Sequence, residues 1–297
     1  MKKRIAILMS LAVALGACAG CGSQPKEESG AKQEETQTSG AKEDASAADD
    51  APGAQETQNA EGELEEATIM VAAAASLKNA YEDELIPMFE AQYPSITVTG
   101  TYDSSGKLQT QIEEGLEADL FMSAATKQMT DLDGEGLIAS DTIVELLENK
   151  IVLIVPAGSE DSMSDFADIV NAQSIAIGDP ESVPAGQYAQ EALTNLGIWD
   201  EVLAKASLGT NVTEVLNQVA ASSAEAGIVY ATDAASMADQ VSVVAEAPEG
   251  SLAEPVIYPV AVVQNTQHQQ AAEAFLEFLQ SKEALAVFEA YGFTINQ

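Results

Sequence analysis

The chain has 297 residues, with 48 acidic residues against 12 lysines and arginines and a formal net charge of −36. This balance argues against nucleic acid as a partner, because contacts to a phosphate backbone need clustered lysine and arginine. The two cysteines lie at positions 18 and 21, so the rest of the chain can form neither a disulfide nor a thiolate metal site.

Residues 1–21 have the pattern of a secretory signal peptide. Three basic residues at positions 2–4 precede an apolar stretch, residues 5–15, that is too short to span a bilayer. Small residues and cysteines follow, as in a bacterial lipobox, where the cysteine carries the lipid. Cys18 fits that pattern better because a leucine lies three residues before it, and Cys21 is the alternative. We therefore expect a lipoprotein tethered to the membrane outside the cytoplasm, with an ordinary cleaved signal as the other possibility.

Residues 22–66 are predicted to be a disordered acidic linker. They consist almost entirely of small, polar and charged residues, with no aromatic residue and Leu64 as the one large apolar side chain. Such a segment cannot bury enough apolar surface to offset the entropy lost on ordering. A tether between a membrane anchor and a folded domain is the natural interpretation.

The first half of the remaining chain alternates between predicted strands and helices. Short apolar runs predict strands at residues 68–71, 96–99, 119–122 and 151–155. Helical periodicity predicts helices at residues 77–86 and from Ser104 through Leu116. We expect residues 143–147 to lie near the end of a helix.

The second half repeats this alternation. Strands are predicted at residues 174–177, 206–208, 227–230, 241–245 and 257–263, and helices at residues 185–196, 212–221, 269–279 and a short segment ending at Ala290. The pattern predicts an α/β protein with mainly parallel sheets, arranged as two α/β lobes with a ligand cleft between them. We expect lobe 1 to comprise residues 67–150 plus 263–297, and lobe 2 to comprise residues 151–262.

Four predicted helix starts carry small or hydroxyl residues that would suit an anion. A helix N-terminus exposes unpaired N–H groups and a partial positive charge. Any one of the four could be ordinary capping, but two come from each predicted lobe and could converge on one ligand. They are Ser76, Ser105-Gly106, Ala185-Gly186 and Asn211-Val212-Thr213.

A site built from such donors can bind a dianion without a cationic side chain. Each hydrogen bond to a charged group contributes about 1.5–3 kcal/mol, and six or seven of them would give micromolar or tighter binding. Donors alone suit a fully deprotonated oxyanion such as sulfate, molybdate or tungstate, whereas hydrogen phosphate needs an acceptor. Asp103 could be that acceptor, although we expect it to face solvent or to support the helix dipole.

Seven segments together resemble one family. They are residues 72–77, 104–108, 118–124, 178–186, 227–230, 258–262 and 291–293. In this order, across nearly all of residues 67–297, they resemble the molybdate-binding protein of bacterial ABC importers, of the molybdate and tungstate family.

The resemblance implies a type II periplasmic-binding-protein fold, in which two Rossmann-like lobes close on a tetrahedral oxyanion. It also implies a receptor that delivers molybdate or tungstate to an ABC permease and needs no cofactor. The lipobox pattern adds a lipid anchor, and we expect a monomer because the receptor would be tethered. The implied ligand contacts are the hydroxyl and amide of Ser76, Ser105, the amides of Ala185 and Val212, and the hydroxyl of Tyr230. These groups would hold the metal only as its oxyanion.

Three alternatives remain at this stage. The first is a sulfate or phosphate receptor of the same fold, and the second is a structural surface lipoprotein without a small ligand. The third is a hydrolase or transferase that uses the serine clusters. His268, the single histidine, lies in a polar helix start, so no Ser–His or Cys–His pair is available for nucleophilic catalysis. We therefore expect no enzymatic activity.

Overall fold

A computed structural model of the protein describes residues 64–296. The predicted signal peptide, both candidate lipidation cysteines and all but the last residues of the predicted linker lie outside this range. Within the described range no helix has the length and apolar character needed to cross a membrane.

Eleven strands occur between residues 64 and 296, and we number them in chain order. They are β1 (Ala67–Ala74), β2 (Ile96–Asp103), β3 (Leu120–Met122), β4 (Val144–Asn149), β5 (Ile151–Pro156), β6 (Ile175–Gly178), β7 (Ala206–Gly209), β8 (Ala226–Tyr230), β9 (Val241–Glu246), β10 (Val256–Val262) and β11 (Thr294–Ile295).

Ten α-helices accompany these strands in the same range. They are α1 (Lys78–Ala80), α2 (Ile86–Gln92), α3 (Ser105–Glu113), α4 (Thr126–Gly134), α5 (Pro184–Asn195), α6 (Trp199–Leu203), α7 (Val212–Ala220), α8 (Ala231–Ser236), α9 (Gln269–Leu279) and α10 (Lys282–Ala290). A 3₁₀ turn, Ala75–Leu77, precedes α1, and a π-helical turn, Tyr81–Leu85, joins α1 to α2.

The first lobe is built on a six-stranded sheet in the order β11-β4-β10-β3-β1-β2. The strands β1, β2 and β3 run parallel, whereas β10 and β11 pair antiparallel to their neighbours. Both faces are covered, which explains why β1 and β3 are apolar along almost their whole length. Leu108 and Leu132 pack on one face, and Phe89, Phe275 and Phe288 belong to the core on the other.

The second lobe is built on a five-stranded sheet in the order β7-β6-β8-β5-β9. Here β6 pairs parallel with β7 and β8, and β5 pairs antiparallel with β8 and β9. Residues 151–155 of β5 are all at most 2% exposed, in keeping with their unbroken apolar sequence. The two-lobe α/β fold predicted from the sequence is confirmed, but both sheets are mixed rather than mainly parallel.

Two further sequence predictions are wrong, for the same physical reason. Residues 143–147 do not end a helix, because most of this segment forms β4, which pairs with β10 and β11. Residues 256–262 do not belong to lobe 2, where the sequence placed them, because β10 inserts between β3 and β4 in the sheet of lobe 1. In both cases the partner strand lies far away in the sequence, so local periodicity carries no signal of the pairing.

Candidate functional site

A small cavity lies between the two lobes and brings the five sequence-predicted contacts together. Ser76 and Ser105 line it from the first lobe, and Ala185, Val212 and Tyr230 line it from the second. Its cavity volume is about 10 Å³. This is far below the 300–1,000 Å³ typical of sites for organic ligands, so the lining residues leave room for nothing larger than a small ion.

The local sequence explains why helix N-termini point into this cavity. Ser105 and Val212 are the first residues of α3 and α7, and Ala185 follows Pro184, the first residue of α5. Proline suits that position because its missing N–H would have no partner there. Ser76 lies in the 3₁₀ turn that opens the first helical segment. The first N–H groups of each helix lack intrahelical partners, so four sets of donors face one space.

The two serine hydroxyls are oriented by bonds to neighbouring groups. The Oγ atom of Ser105 accepts a hydrogen bond from the Ala124 amide at 3.0 Å, which leaves its own proton free to donate. The Oγ atom of Ser76 lies 3.0 Å from the hydroxyl of Tyr258, and either can be the donor. Because the Asn149 side-chain amide donates to Tyr258 at 3.2 Å, donation from Tyr258 to Ser76 completes the network. The Ser76 proton is then available to a ligand.

Tyr230 connects the two lobes in this structure. Its hydroxyl donates to the carbonyl oxygen of Ala124 at 3.1 Å. Burial holds its pKa well above the ordinary value, so the hydroxyl stays neutral and does not repel an anion. A direct hydrogen bond from Tyr230 to a ligand requires that its single proton turn away from Ala124.

Asp103 lines the cavity and does not face solvent alone, but its place at the start of α3 agrees with the expected support of the helix dipole. Its side chain is 29% exposed, and its Oδ1 atom accepts hydrogen bonds from the Ser104 amide at 2.8 Å and from Lys107 at 3.2 Å. Across the cleft the side-chain amide of Asn211 donates to the same atom at 3.3 Å. The carboxylate is thereby engaged by three donors, one of which is the cationic Lys107.

Further hydrogen bonds join the lobes around the cavity. The Gly106 amide donates to the Ser182 carbonyl at 3.0 Å, and Gln128 donates to Gln187 at 3.1 Å.

Sequence reasoning did not identify Gln128 or the Asp103–Asn211 contact, because nothing local signals a partner in the other lobe. It also passed over Ser104, which lines the cavity beside Ser105, although the Ser104-Ser105 pair was the available clue.

The site offers hydrogen-bond donors and no cationic side chain among its lining residues. Between residues 64 and 296 no group of three or more histidine, cysteine, aspartate or glutamate side chains is placed to hold a metal ion. What this arrangement can do chemically is surround a small anion with oriented N–H and O–H groups.

Comparison with known proteins gives a consistent result. Residues 69–294 match the model of a family described as bacterial extracellular solute-binding protein. The chain is 40% identical over 242 residues to YvgL of Bacillus subtilis, a predicted ABC transporter substrate-binding lipoprotein, covering 82% of this chain and 92% of that protein. It is 39% identical over 233 residues to the molybdate-binding protein ModA of Haemophilus influenzae, covering 77% and 90%.

A solved structure supports the same relationship. The substrate-binding domain of a predicted molybdenum ABC transporter from Clostridium difficile superposes with a TM-score of 0.61 at 38% sequence identity. The match covers 78% of this chain and 100% of that one.

Proposed function

The chain belongs to the family of bacterial extracellular solute-binding proteins of ABC transporters, and we propose that its solute is molybdate or tungstate. The resemblance to molybdate-binding proteins predicted from seven sequence segments is confirmed by this relationship. Delivery of a captured solute to a membrane permease is the corresponding role, without covalent chemistry.

The convergence of four helix N-termini on one closed cavity is the observation that supports this proposal. Ser105, Ala185 and Val212 are each at most 4% exposed, so their amides are shielded from water. Buried N–H groups need partners, and a tetrahedral oxyanion provides four acceptor atoms in a compact volume. Such a site binds an anion even though the whole chain is strongly acidic, because short-range donors outweigh the screened charge of distant carboxylates.

Asp103 is the residue that would separate a fully deprotonated oxyanion from hydrogen phosphate. Hydrogen phosphate carries a proton that must be accepted. The Oδ1 atom of Asp103 accepts from Ser104, Lys107 and Asn211, while its Oδ2 atom, 3.5 Å from Lys107, keeps acceptor capacity. If Asp103 accepted that proton, Asp103→Asn would weaken phosphate binding and leave molybdate binding almost unchanged. Sulfate is also fully deprotonated and remains the second candidate.

We further propose that the ligand contacts are Ser76, Ser105, Ala185, Val212 and Tyr230, and that ligand capture is a closure of the two lobes. The signal and lipobox pattern in residues 1–21 supports an extracytoplasmic protein that Cys18, or alternatively Cys21, anchors to the membrane. Residues 22–66 would then be the tether, and a monomer suits a receptor held in this way.

Calorimetric titration of the whole chain with molybdate, tungstate, sulfate and phosphate tests the proposal. We expect micromolar or tighter binding of molybdate and tungstate, and none of phosphate. Ser105→Ala should weaken binding by about tenfold or more, since it removes a hydrogen bond to a charged group. Binding of phosphate alone would contradict the choice of ligand, and absence of binding to all four anions would favour a structural lipoprotein.

A further inference from the structure

Ser104 carries a buried hydroxyl that the fold leaves without a hydrogen-bond partner. The residue is 4% exposed, and its Oγ atom has no partner among residues 64–296. It occupies the N-cap position of α3, yet its side chain makes no capping bond. A serine in that position normally accepts from the second or third amide of the helix, so this one departs from the usual behaviour.

One of the two usual capping donors is engaged elsewhere. The amide of Gly106, the second residue of α3, donates across the cleft to the Ser182 carbonyl at 3.0 Å. The Ser104 backbone carbonyl still accepts from Leu108 at 3.1 Å, so the helix begins normally while the side chain takes no part. Proteins rarely leave a buried hydroxyl unpaired unless a water, an ion or a ligand completes it.

The position of Ser104 indicates what completes it. It lines the same cavity as Ser76, Ser105 and Ala185, at the positive end of α3. We propose that the Ser104 hydroxyl donates a hydrogen bond to the bound oxyanion, as a further contact beyond the five that the family resemblance implies. This inference rests on the proposed function.

The same protein contains a matched control. Ser251 is also 4% exposed, and its Oγ atom likewise has no partner in the described part of the chain. It lies between β9 and β10, where its backbone carbonyl accepts from Asn195, and it is not among the residues that line the cavity. Replacing either serine by alanine removes the same kind of group, but only Ser104 should affect the anion.

The experiment compares the wild type, Ser104→Ala, Ser104→Gly and Ser251→Ala as whole chains. Each is titrated with molybdate and tungstate, and its melting temperature is measured without ligand. We expect both Ser104 variants to bind about tenfold or more weakly, with an unliganded melting temperature at or above that of the wild type. Glycine is included because it is also a favoured N-cap residue. Ser251→Ala should keep the wild-type affinity.

The outcomes separate this inference from the proposed function. Wild-type affinity in either Ser104 variant would overturn the inference while leaving oxyanion binding intact. An equal loss of affinity in Ser251→Ala would overturn it too, because the effect would then come from general loosening of the fold. If the wild type bound neither anion, the proposed function would fail first and the role of Ser104 with it.

Discussion

Asp233 is a buried carboxyl group near the tyrosines of the site. It is 6% exposed, and its Oδ2 atom has no hydrogen-bond partner within residues 64–296. Burial raises the pKa of Asp233 from 3.8 to about 7. Its charge in turn contributes to the raised pKa values of Tyr230 and Tyr258. Only below about pH 7, where Asp233 is mostly protonated, does it add little negative charge near these tyrosines.

This shift predicts that Asp233 destabilises the fold as the pH rises. Between about pH 4 and pH 7 the unfolded chain has lost the Asp233 proton while the folded chain keeps it, so the free energy of unfolding decreases with pH. Above pH 7 the penalty is complete and amounts to about 4 kcal/mol, at 1.36 kcal/mol per pKa unit. Asp233→Asn should remove this dependence, which denaturant unfolding at pH 4.5 and pH 8 would measure.

The comparison needs a control because the chain carries many other carboxylates. Asp239, in the same lobe, is exposed, and Asp239→Asn should leave the pH dependence as in the wild type. If Asp233→Asn and the wild type lost stability equally between the two pH values, Asp233 would be shown to be ionised or hydrated in the folded protein.

At the scale of an element, the start of α3 contacts both lobes at once. Ser105 presents its hydroxyl to the cavity, and the next residue, Gly106, donates its amide to Ser182 in the second lobe. A Cβ atom added at Gly106 would lie 2.5 Å from the Ser182 carbonyl oxygen and 2.8 Å from its Cα atom. Both obstacles are backbone, which cannot rotate away. Gly106 is therefore required for the lobes to meet and not for helix formation.

We predict that Gly106→Ala impairs lobe closure while preserving the fold. Alanine favours a helix over glycine by about 0.5–1 kcal/mol, so the unliganded protein should be at least as stable as the wild type. Anion affinity should fall by about tenfold or more, at 1.4 kcal/mol per factor of ten. Small-angle scattering with and without molybdate would show a smaller compaction than in the wild type.

Gly134 supplies the matched control for this substitution. It ends α4, and an added Cβ atom would meet nothing within 4 Å in the described structure. Gly134→Ala should therefore leave affinity and compaction unchanged. Full compaction of Gly106→Ala on binding would mean that the loop containing Ser182 moves aside at little cost.

At the scale of the whole molecule, the lobes are joined by polar contacts around the ligand cavity. The side chain of Asn211 makes hydrogen bonds within its own lobe and to the other lobe. Its Oδ1 atom accepts from the Glu214 amide at 2.9 Å and caps α7, while its Nδ2 atom donates to Asp103 at 3.3 Å. The contact between the lobes thus uses a donor that helix capping alone does not require.

We predict that Asn211→Asp weakens anion binding without unfolding α7. Aspartate is as good an N-cap as asparagine, but it would place a second carboxylate against Asp103. Affinity for molybdate should fall by about tenfold or more. The loss should be larger at low salt, because at high salt the ions screen the repulsion between the two carboxylates. Titration at two ionic strengths measures both effects.

The exchange of the two side chains isolates the contact between the lobes. In the double variant Asp103→Asn, Asn211→Asp, the amide and the carboxylate exchange positions, so the hydrogen bond between the lobes can form again. Molybdate affinity should then recover most of what Asn211→Asp alone loses. No recovery in the double variant would indicate that Asn211 acts only within the second lobe.

The sequence alone determined the features that depend on local chemistry. Apolar runs such as residues 151–155 and helix starts such as Ser105 and Pro184 are encoded within a few residues, and the structure has them where they were predicted. The two-lobe α/β fold follows from their alternation. The five predicted contacts also converge on one cavity, although their binding to an anion stays a prediction.

Only the tertiary structure decided the features that depend on a distant partner. The segment 143–147 falls mostly in β4, and β10 joins the first sheet, because each pairs with strands far away in the chain. Asp103 contacts Asn211, 108 residues away. The Ser104 hydroxyl has no partner within residues 64–296, and the nearby Gly106 amide is bonded to Ser182 in the other lobe. Periodicity and capping rules describe a residue's immediate neighbours, whereas the contact between two lobes brings together side chains that no local rule connects.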